Sequence, residues 1–216
     1  MSSLRICYQT IEFDEVDIHV RTLRDNQQYR DDDGIAEKLG ISSATWPLFG
    51  VVWDSGLVLS HFLFDFNIAG KRILEVGCGI GLASLLLNHR CADITATDYH
   101  PEAENFLLEN IKLNQGKNIP FVRTGWEDEK SDLGQFDLII GSDLLYERDH
   151  AQILSLFINQ HAKNNCEVII VDPGRGNHAK FSKKMVKLGY SHTQTKPGAT
   201  EYLVQPFRGR ILRYRR

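Results

Sequence analysis

Residues 72–81 read Arg72-Ile73-Leu74-Glu75-Val76-Gly77-Cys78-Gly79-Ile80-Gly81, and the fold follows from how this stretch changes character midway. Ile73, Leu74 and Val76 form the apolar run of a buried strand. The run breaks into glycines at 77, 79 and 81, and an apolar helical pattern starts at Leu82. Glycine permits positive φ and lets a ligand approach with no Cβ in the way. The helix beyond presents unpaired N–H groups and the positive end of its dipole. Such a turn suits a nucleotide-like ligand, although glycine-rich strand-to-helix turns also occur as plain connections.

The details narrow the ligand. A dinucleotide fingerprint, G-x-G-x-x-G/A, needs a third small residue where helix and strand pack closely. Counted from Gly77 that position is Leu82, and counted from Gly79 it is Ser84; neither fits well. Glu75 stands two residues before the first glycine, where a carboxylate repels pyrophosphate and welcomes a cation or ammonium group. The spacing E-x-G-x-G-x-G resembles the cofactor loop of class I S-adenosylmethionine-dependent methyltransferases. The ligand of that family has no phosphate and carries a sulfonium and an α-amino group.

Length and composition bound the alternatives. The chain has 216 residues, 42% hydrophobic and 25% charged, with net charge −3. This suits one well-buried domain and gives no prompt toward nucleic acid. Cys7, Cys78, Cys91 and Cys166 are scattered, with no C-x-x-C pair and no histidine at ligand spacing, so neither a disulfide framework nor a metal site is expected. The eight histidines show no pairing that suggests a general base. No apolar run approaches the about 18 residues of a membrane span, and the N-terminus lacks a signal-peptide layout. A cytoplasmic monomer or small oligomer is the expectation.

From Lys71 onward, strands expected at Ile73–Val76, Ile94–Thr97, Phe121–Arg123, Leu138–Gly141 and Val168–Val171 alternate with helical patterns at Leu82–Leu87, Ala103–Leu113 and Ile153–Ile158. Strand–helix alternation implies a parallel sheet covered on both faces. A further helix carries Phe181, Met185 and Leu188 on one face and Lys180, Lys183, Lys184 and Lys187 on the other. Tyr202–Val204 and Ile211–Tyr214 read as a closing antiparallel hairpin, with Arg208, Arg210, Arg213, Arg215 and Arg216 as charges of a solvated edge strand, or as contacts for an acidic partner. Upstream, Leu4–Phe13 and Val16–Arg24 read as a small hairpin around Asp14-Glu15. The acidic stretch from Gln27 to Lys38 reads as a surface loop. Asp54 or Ser55 is placed to cap a helix running through Leu57, Val58, Phe62 and Leu63.

Several residues at strand exits could carry chemistry. Asp98 ends the second strand after the glycine turn and can accept both ribose hydroxyls of an adenosine, or cap the segment that follows. Trp126 ends the third strand, where its indole could pack on an adenine face or simply fill the core. Asp143-Leu144-Leu145-Tyr146 follows the fourth, where ligands of open sheets gather. Asp143 offers an acceptor for a substrate amine and Tyr146 an aromatic wall with a hydroxyl; the alternative is an ordinary exit with Asp143 capping a helix near Arg148. Cys78 reads as a small tolerated residue of the turn.

Taken together, Val52-Trp53-Asp54-Ser55-Gly56 before a helix, the LEVGCGIG turn, Asp98, Trp126 and D-L-L-Y resemble the family 16 methyltransferases. These are seven-β-strand enzymes with a D-x-x-Y/F motif after strand four, most of which methylate lysine in particular proteins. The resemblance runs from the N-terminal hairpin to the C-terminus. It implies an α/β, Rossmann-like, doubly wound seven-stranded and mostly parallel sheet with an antiparallel C-terminal hairpin, plus a small N-terminal β-hairpin. A single domain then spans 1–216, with 1–45 as extension and 46–216 as catalytic core. The resemblance places Trp53, Glu75, Gly77, Cys78, Gly79, Asp98, Tyr99, Trp126 and Ser142 around S-adenosylmethionine, and Asp143 and Tyr146 at the reacting amine. Asp172-Pro173-Gly174-Arg175 is similar to a D-P-G-R stretch in the electron-transfer-flavoprotein β-subunit lysine methyltransferase branch, which implies a substrate contact for Arg175; a plain Pro-Gly turn is the alternative. The expected activity is N-methylation of lysine in a protein substrate, with S-adenosylhomocysteine as product and no membrane or nucleic-acid partner. A small-molecule amine acceptor and a non-catalytic binding module are the rival readings.

Overall fold

A computed structural model describes residues 5–25, 29, 31–128 and 133–216. Leu4 and Gln27, at the edges of two expected elements, lie outside these. The first two strands, β1 (Ile6–Phe13) and β2 (Val16–Leu23), pair antiparallel across Asp14-Glu15, with Asp14 at φ +48°. A single helical turn, α1 (Ile35–Lys38), interrupts the acidic stretch, and the Asp31 carboxylate accepts from the N–H groups of Ala36 at 3.0 Å and Glu37 at 2.8 Å.

The main sheet is built from β3 (Arg72–Val76), β4 (Asp93–Asp98), β5 (Phe121–Arg123), β6 (Phe136–Ser142), β7 (Ala162–Asp172), β8 (Ser191–Thr195) and β9 (Arg210–Arg215). Their order is β5-β4-β3-β6-β7-β9-β8, parallel from β5 to β7 and antiparallel at β9 and β8. The parallel strands are apolar on both sides, as burial between two helical layers requires. Residues of alternate parity go to opposite layers. Ile73, Leu138, Ile140, Ile169 and Val171 join α2 (Asp54–Phe64), α3 (Leu82–His89) and α4 (Ala103–Leu113). Leu74, Val76, Ile139, Val168 and Ile170 join α5 (His150–His161) and α6 (His178–Lys187). Burying each such side chain stabilises the fold by roughly 1.5–3 kcal/mol.

The hairpin docks on the first layer through Phe13, Ile18, Val20 and Leu23. Its backbone is held by Asn110 of α4 and by Asn114 at the helix's C-cap: the Asn110 side chain accepts from Arg21 N–H at 2.6 Å, and that of Asn114 from His19 N–H at 2.8 Å. Asn110, fully buried, also donates to the Ile80 carbonyl at 3.0 Å, which ties the hairpin to the glycine turn.

Three expectations fail. The strand preceding β9 is Ser191–Thr195, not Tyr202–Val204. β8 is the outermost strand, so its polar SHTQT sequence needs no apolar face, while the Tyr202 ring stacks on His61 at 3.6 Å and Val204 is 95% exposed. The arginines of β9 therefore lie on an inner strand, where Arg213 and Arg215 pair with Glu167 from β7. Neither Asp54 nor Ser55 caps α2: Trp53 takes the cap position with extended backbone, and its carbonyl accepts the first helical bond from Leu57 N–H at 3.0 Å.

Candidate active site

Strand order reverses at β3, since the chain leaves it for β4 on one side and returns to β6 on the other. The carboxyl ends stand level: Val76 is in register with Thr97 and Gly141, and Ser142 with Val171. Asp98, the glycine turn, Asp143 and the Asp172–Arg175 segment therefore line one edge in that order, where ligands of open α/β sheets bind.

The three glycines of the turn have φ of +64°, +54° and +82° at 77, 79 and 81. A Cβ on Gly79 would stand 2.8 Å from the Phe49 carbonyl oxygen, so the turn packs under the 3-10 turn Leu48–Gly50. The Phe49 ring in turn stacks on His100 at 3.8 Å, and burial pushes His100 down to about 4, so this histidine is a neutral packing group. Asp98 is half-buried. One oxygen accepts from Gly79 N–H and the other from His100 N–H, each at 2.8 Å. It thus shapes the turn and caps the following segment at once. A carboxylate offers about four acceptor positions, which leaves two for a vicinal diol. Tyr99 beside it is 42% exposed and its hydroxyl donates to the Leu39 carbonyl at 2.7 Å. Cys78 is buried, which pushes its thiol well above the ordinary range and leaves it unreactive.

Glu75 points away from the open side of the turn. It is 4% exposed and accepts from the N–H of Ser84 at 2.9 Å and from the Ser84 hydroxyl, which ties β3 to the first part of α3. Burial raises its carboxyl from 4.5 to about 7. The folded chain therefore holds this proton where the unfolded chain has lost it, and folding stability falls as pH rises from the unfolded value toward the folded one. Glu75→Gln removes that titration, so between pH 5 and pH 8 it should gain roughly 2–3 kcal/mol on the parent. Urea unfolding of both proteins at the two pH values checks this; parallel pH profiles would contradict it.

Asp143 has φ +54°, a left-handed conformation that costs a non-glycine residue about 1–3 kcal/mol and concentrates at functional sites. Its N–H donates to the Val171 carbonyl at 2.9 Å, and α5 starts only at His150, so Asp143 caps no helix. Arg175 grips its carboxylate with both nitrogens, Nε at 2.5 Å and Nη2 at 2.7 Å. Tyr146 is 43% exposed with its ring edge-on to His150 at 4.5 Å. Partial desolvation, then the charges of Asp98, Glu147 and Asp143, push its phenol up to about 12, so it stays neutral. Trp126 packs edge-on against the same imidazole at 5.0 Å, and His150 is fixed by the Leu144 carbonyl at 2.8 Å. The imidazole that joins these two aromatic residues carries no signal in the sequence.

Beside Asp143 opens a cleft of about 490 Å3 lined by Trp53, Asp54, Ser55, Asp143, Arg175 and the Pro206-Phe207-Arg208 segment, among others. The Trp53 indole donates to the Leu48 carbonyl at 2.9 Å and is held as a wall. Ser142 faces the first turn of α2, its hydroxyl 3.6 Å from where a Cβ on Gly56 would stand. Gly77, Asp98, Tyr99 and Trp126 are not in this cleft, which lies on the far side of Asp143 from them. Arg208 is not the edge-strand charge that its sequence context suggests; it belongs to the connection between β8 and β9 that closes the cleft.

The sequence profile of a family described as lysine methyltransferase matches residues 36–187. The β1–β2 hairpin and the β8–β9 region lie outside that match, which is narrower than the whole-chain resemblance. The electron transfer flavoprotein beta subunit lysine methyltransferase of Mus musculus is 34% identical over 133 residues, covering 60% of this chain and 51% of that protein. Protein N-lysine methyltransferase METTL21A of Danio rerio is 36% identical over 116 residues, covering 48% and 52%. The chain thus spans about half the length of the curated relatives it matches. The crystal structure of magnesium protoporphyrin IX methyltransferase from Synechocystis PCC 6803, with bound SAM, shares the fold with a TM-score of 0.57 at 21% identity, over 74% of this chain and 76% of that one.

Proposed function

This chain belongs to the lysine methyltransferase family, and we propose that it is an S-adenosylmethionine-dependent N-methyltransferase acting on lysine side chains of a protein. The observation that carries the reading is the alignment of Asp98, the glycine turn and Asp143 on the ends of three neighbouring strands at the reversal of strand order. The residues suit the donor. Asp98 has two acceptor positions left for the ribose hydroxyls, and the glycine turn lets an adenosyl group approach the backbone. Tyr99 and Trp126 flank the adenine side, and Trp53 and Ser142 close the methionine side.

When bound, the donor supplies a methyl group whose bond to sulfur breaks as the bond to nitrogen forms, the sulfur keeping the electron pair. The chain's own residues prepare the acceptor. A lysine side chain in water titrates near pH ~10.4 and must shed a proton to the solvent before it can attack. A half-enclosed cleft lowers that value by desolvation. Asp143 draws the cation in and then accepts a hydrogen bond from the amine, which orients the nitrogen lone pair. Tyr146, a neutral phenol, shapes the channel, and Trp53 with Phe207 keeps water from the line of attack. Holding two reactants in that geometry supplies much of the rate advantage.

The test is to incubate the chain and methyl-labelled donor with a protein lysate and, separately, with a protein-free metabolite fraction. Label on lysine in the protein fraction is expected. Label confined to metabolites would replace the lysine reading by a small-amine one, and no donor binding by calorimetry would reduce the chain to a binding module.

A further inference from the structure

Asp143 meets an incoming lysine already paired, with only two of a carboxylate's about four acceptor positions left. Both carboxylate oxygens already receive Arg175, and the Asp143 side chain is 10% exposed against 42% for Arg175. The cation is the partner able to leave. It sits between Gly174 at φ +102° and Gly176 at φ +90°, and no atom lies within 4 Å of where a Cβ would stand on either glycine. Glycines on both sides give the backbone at Arg175 conformational freedom.

The charges of the cleft constrain what can replace it. Among its lining residues Asp54 and Asp143 are acids and Arg175 and Arg208 are cations, so the wall is formally balanced. Arg208 is exposed on the rim, with neither a hydrogen bond nor an ion pair among the described residues. A lysine entering alone would satisfy Asp143, leave Arg175 without a partner and put one uncompensated positive charge in the cleft. An excess of positive charge beside two arginines is the unfavourable outcome, through like-charge repulsion in the cleft. An acceptor that brings its own carboxylate avoids it.

We infer that the acceptor is a lysine with an acidic side chain beside it, taken up by an exchange of ion-pair partners: the ammonium replaces Arg175 on Asp143, and the acceptor's carboxylate receives Arg175 and Arg208. This rests on the protein-lysine reading of the site. Arg175 is then a specificity-determining contact, and because Arg208 lies beyond the family match at residue 187, the selection belongs in part to this chain's own C-terminal connection.

The probes are fluorescent peptides with one central lysine, flanked on each side by two glutamates or by two glutamines. Their binding to the full chain is read by anisotropy with S-adenosylhomocysteine present, and their methylation with labelled donor. The glutamate peptide should bind about 10-fold more tightly, as one recovered charge-assisted pair implies. The preference should shrink to less than about 2-fold in Arg175→Gln, partly survive in Arg175→Lys, which keeps the charge without the bidentate fork, and persist in Lys183→Gln on α6. Equal binding of the two peptides, or a preference that Arg175→Gln leaves intact, overturns the exchange. Methylation without preference overturns it while the lysine reading stands; preferential binding with methylation of neither peptide overturns it as a description of the methyl acceptor, and the lysate assay then decides the lysine reading separately.

Discussion

Asp143→Asn should lower methyl transfer by at least about 30-fold while donor affinity stays within about 3-fold of the parent. Asparagine tolerates a left-handed backbone as well as aspartate does, so the strained exit of β6 is kept; alanine at φ +54° would add strain and blur the result. What is lost is the charge that holds the ammonium. Removing one partner of a buried, charged hydrogen bond costs about 2–5 kcal/mol, which spans roughly 30-fold to several thousand-fold. The substitution also strands the Arg175 guanidinium, so the double variant Asp143→Asn with Arg175→Gln is the proper companion. Recovery of part of the rate in the double variant would assign that part to the stranded cation. Single-turnover transfer and calorimetric donor binding separate the steps. Matched loss of rate and donor affinity would move Asp143 from the acceptor to the donor or to the fold, and an undiminished rate would remove it from the reaction.

Short-range signals carry the sequence reading well. α4 is found at Ala103–Leu113 and β5 at Phe121–Arg123, as expected, because the first repeats apolar residues at the helical period and the second lies between clear breaks. β6 and β7 extend past their expected cores because sheet pairing recruits flanking residues without regard to polarity. β8 escapes since an outermost strand is under no pressure to be apolar. Two misses have a signal that could have been used. Asn110 and Asn114 fall on the same side of α4 as Ala103, Phe106 and Leu107, where a polar side chain must find a partner; they hold the hairpin. Glu75 lies inside a strand buried on both faces, so its carboxylate has to be satisfied from within, and Ser84 does so. The wall of the cleft at Pro206–Arg208 is a different case. It approaches Trp53 and Asp143 from far along the chain, and no local pattern encodes that meeting.

Asp98→Ala should weaken donor and product binding alike, by about 100-fold. In the parent, the carboxylate shares its acceptor positions between Gly79 and His100, and the two that remain suit neighbouring hydroxyls of a ribose. Each charge-assisted bond to such a group is worth about 1.5–3 kcal/mol net, and a 100-fold change corresponds to about 2.7 kcal/mol. Alanine also orphans the N–H groups of Gly79 and His100, so part of the loss belongs to the turn and the segment after it. Asp98→Asn helps separate the two contributions, because its amide oxygen can still accept from one of the two backbone donors, Gly79 or His100, while its NH2 group cannot accept from a hydroxyl. If asparagine restores thermal stability but not affinity, the ribose contact is the larger share. Because donor and product share the ribose and differ at sulfur, the loss should be equal for both, whereas a residue that reads the sulfonium charge would discriminate between them. Calorimetric affinities within about 3-fold of the parent for both ligands would take Asp98 out of the donor site and leave it as the brace of the turn.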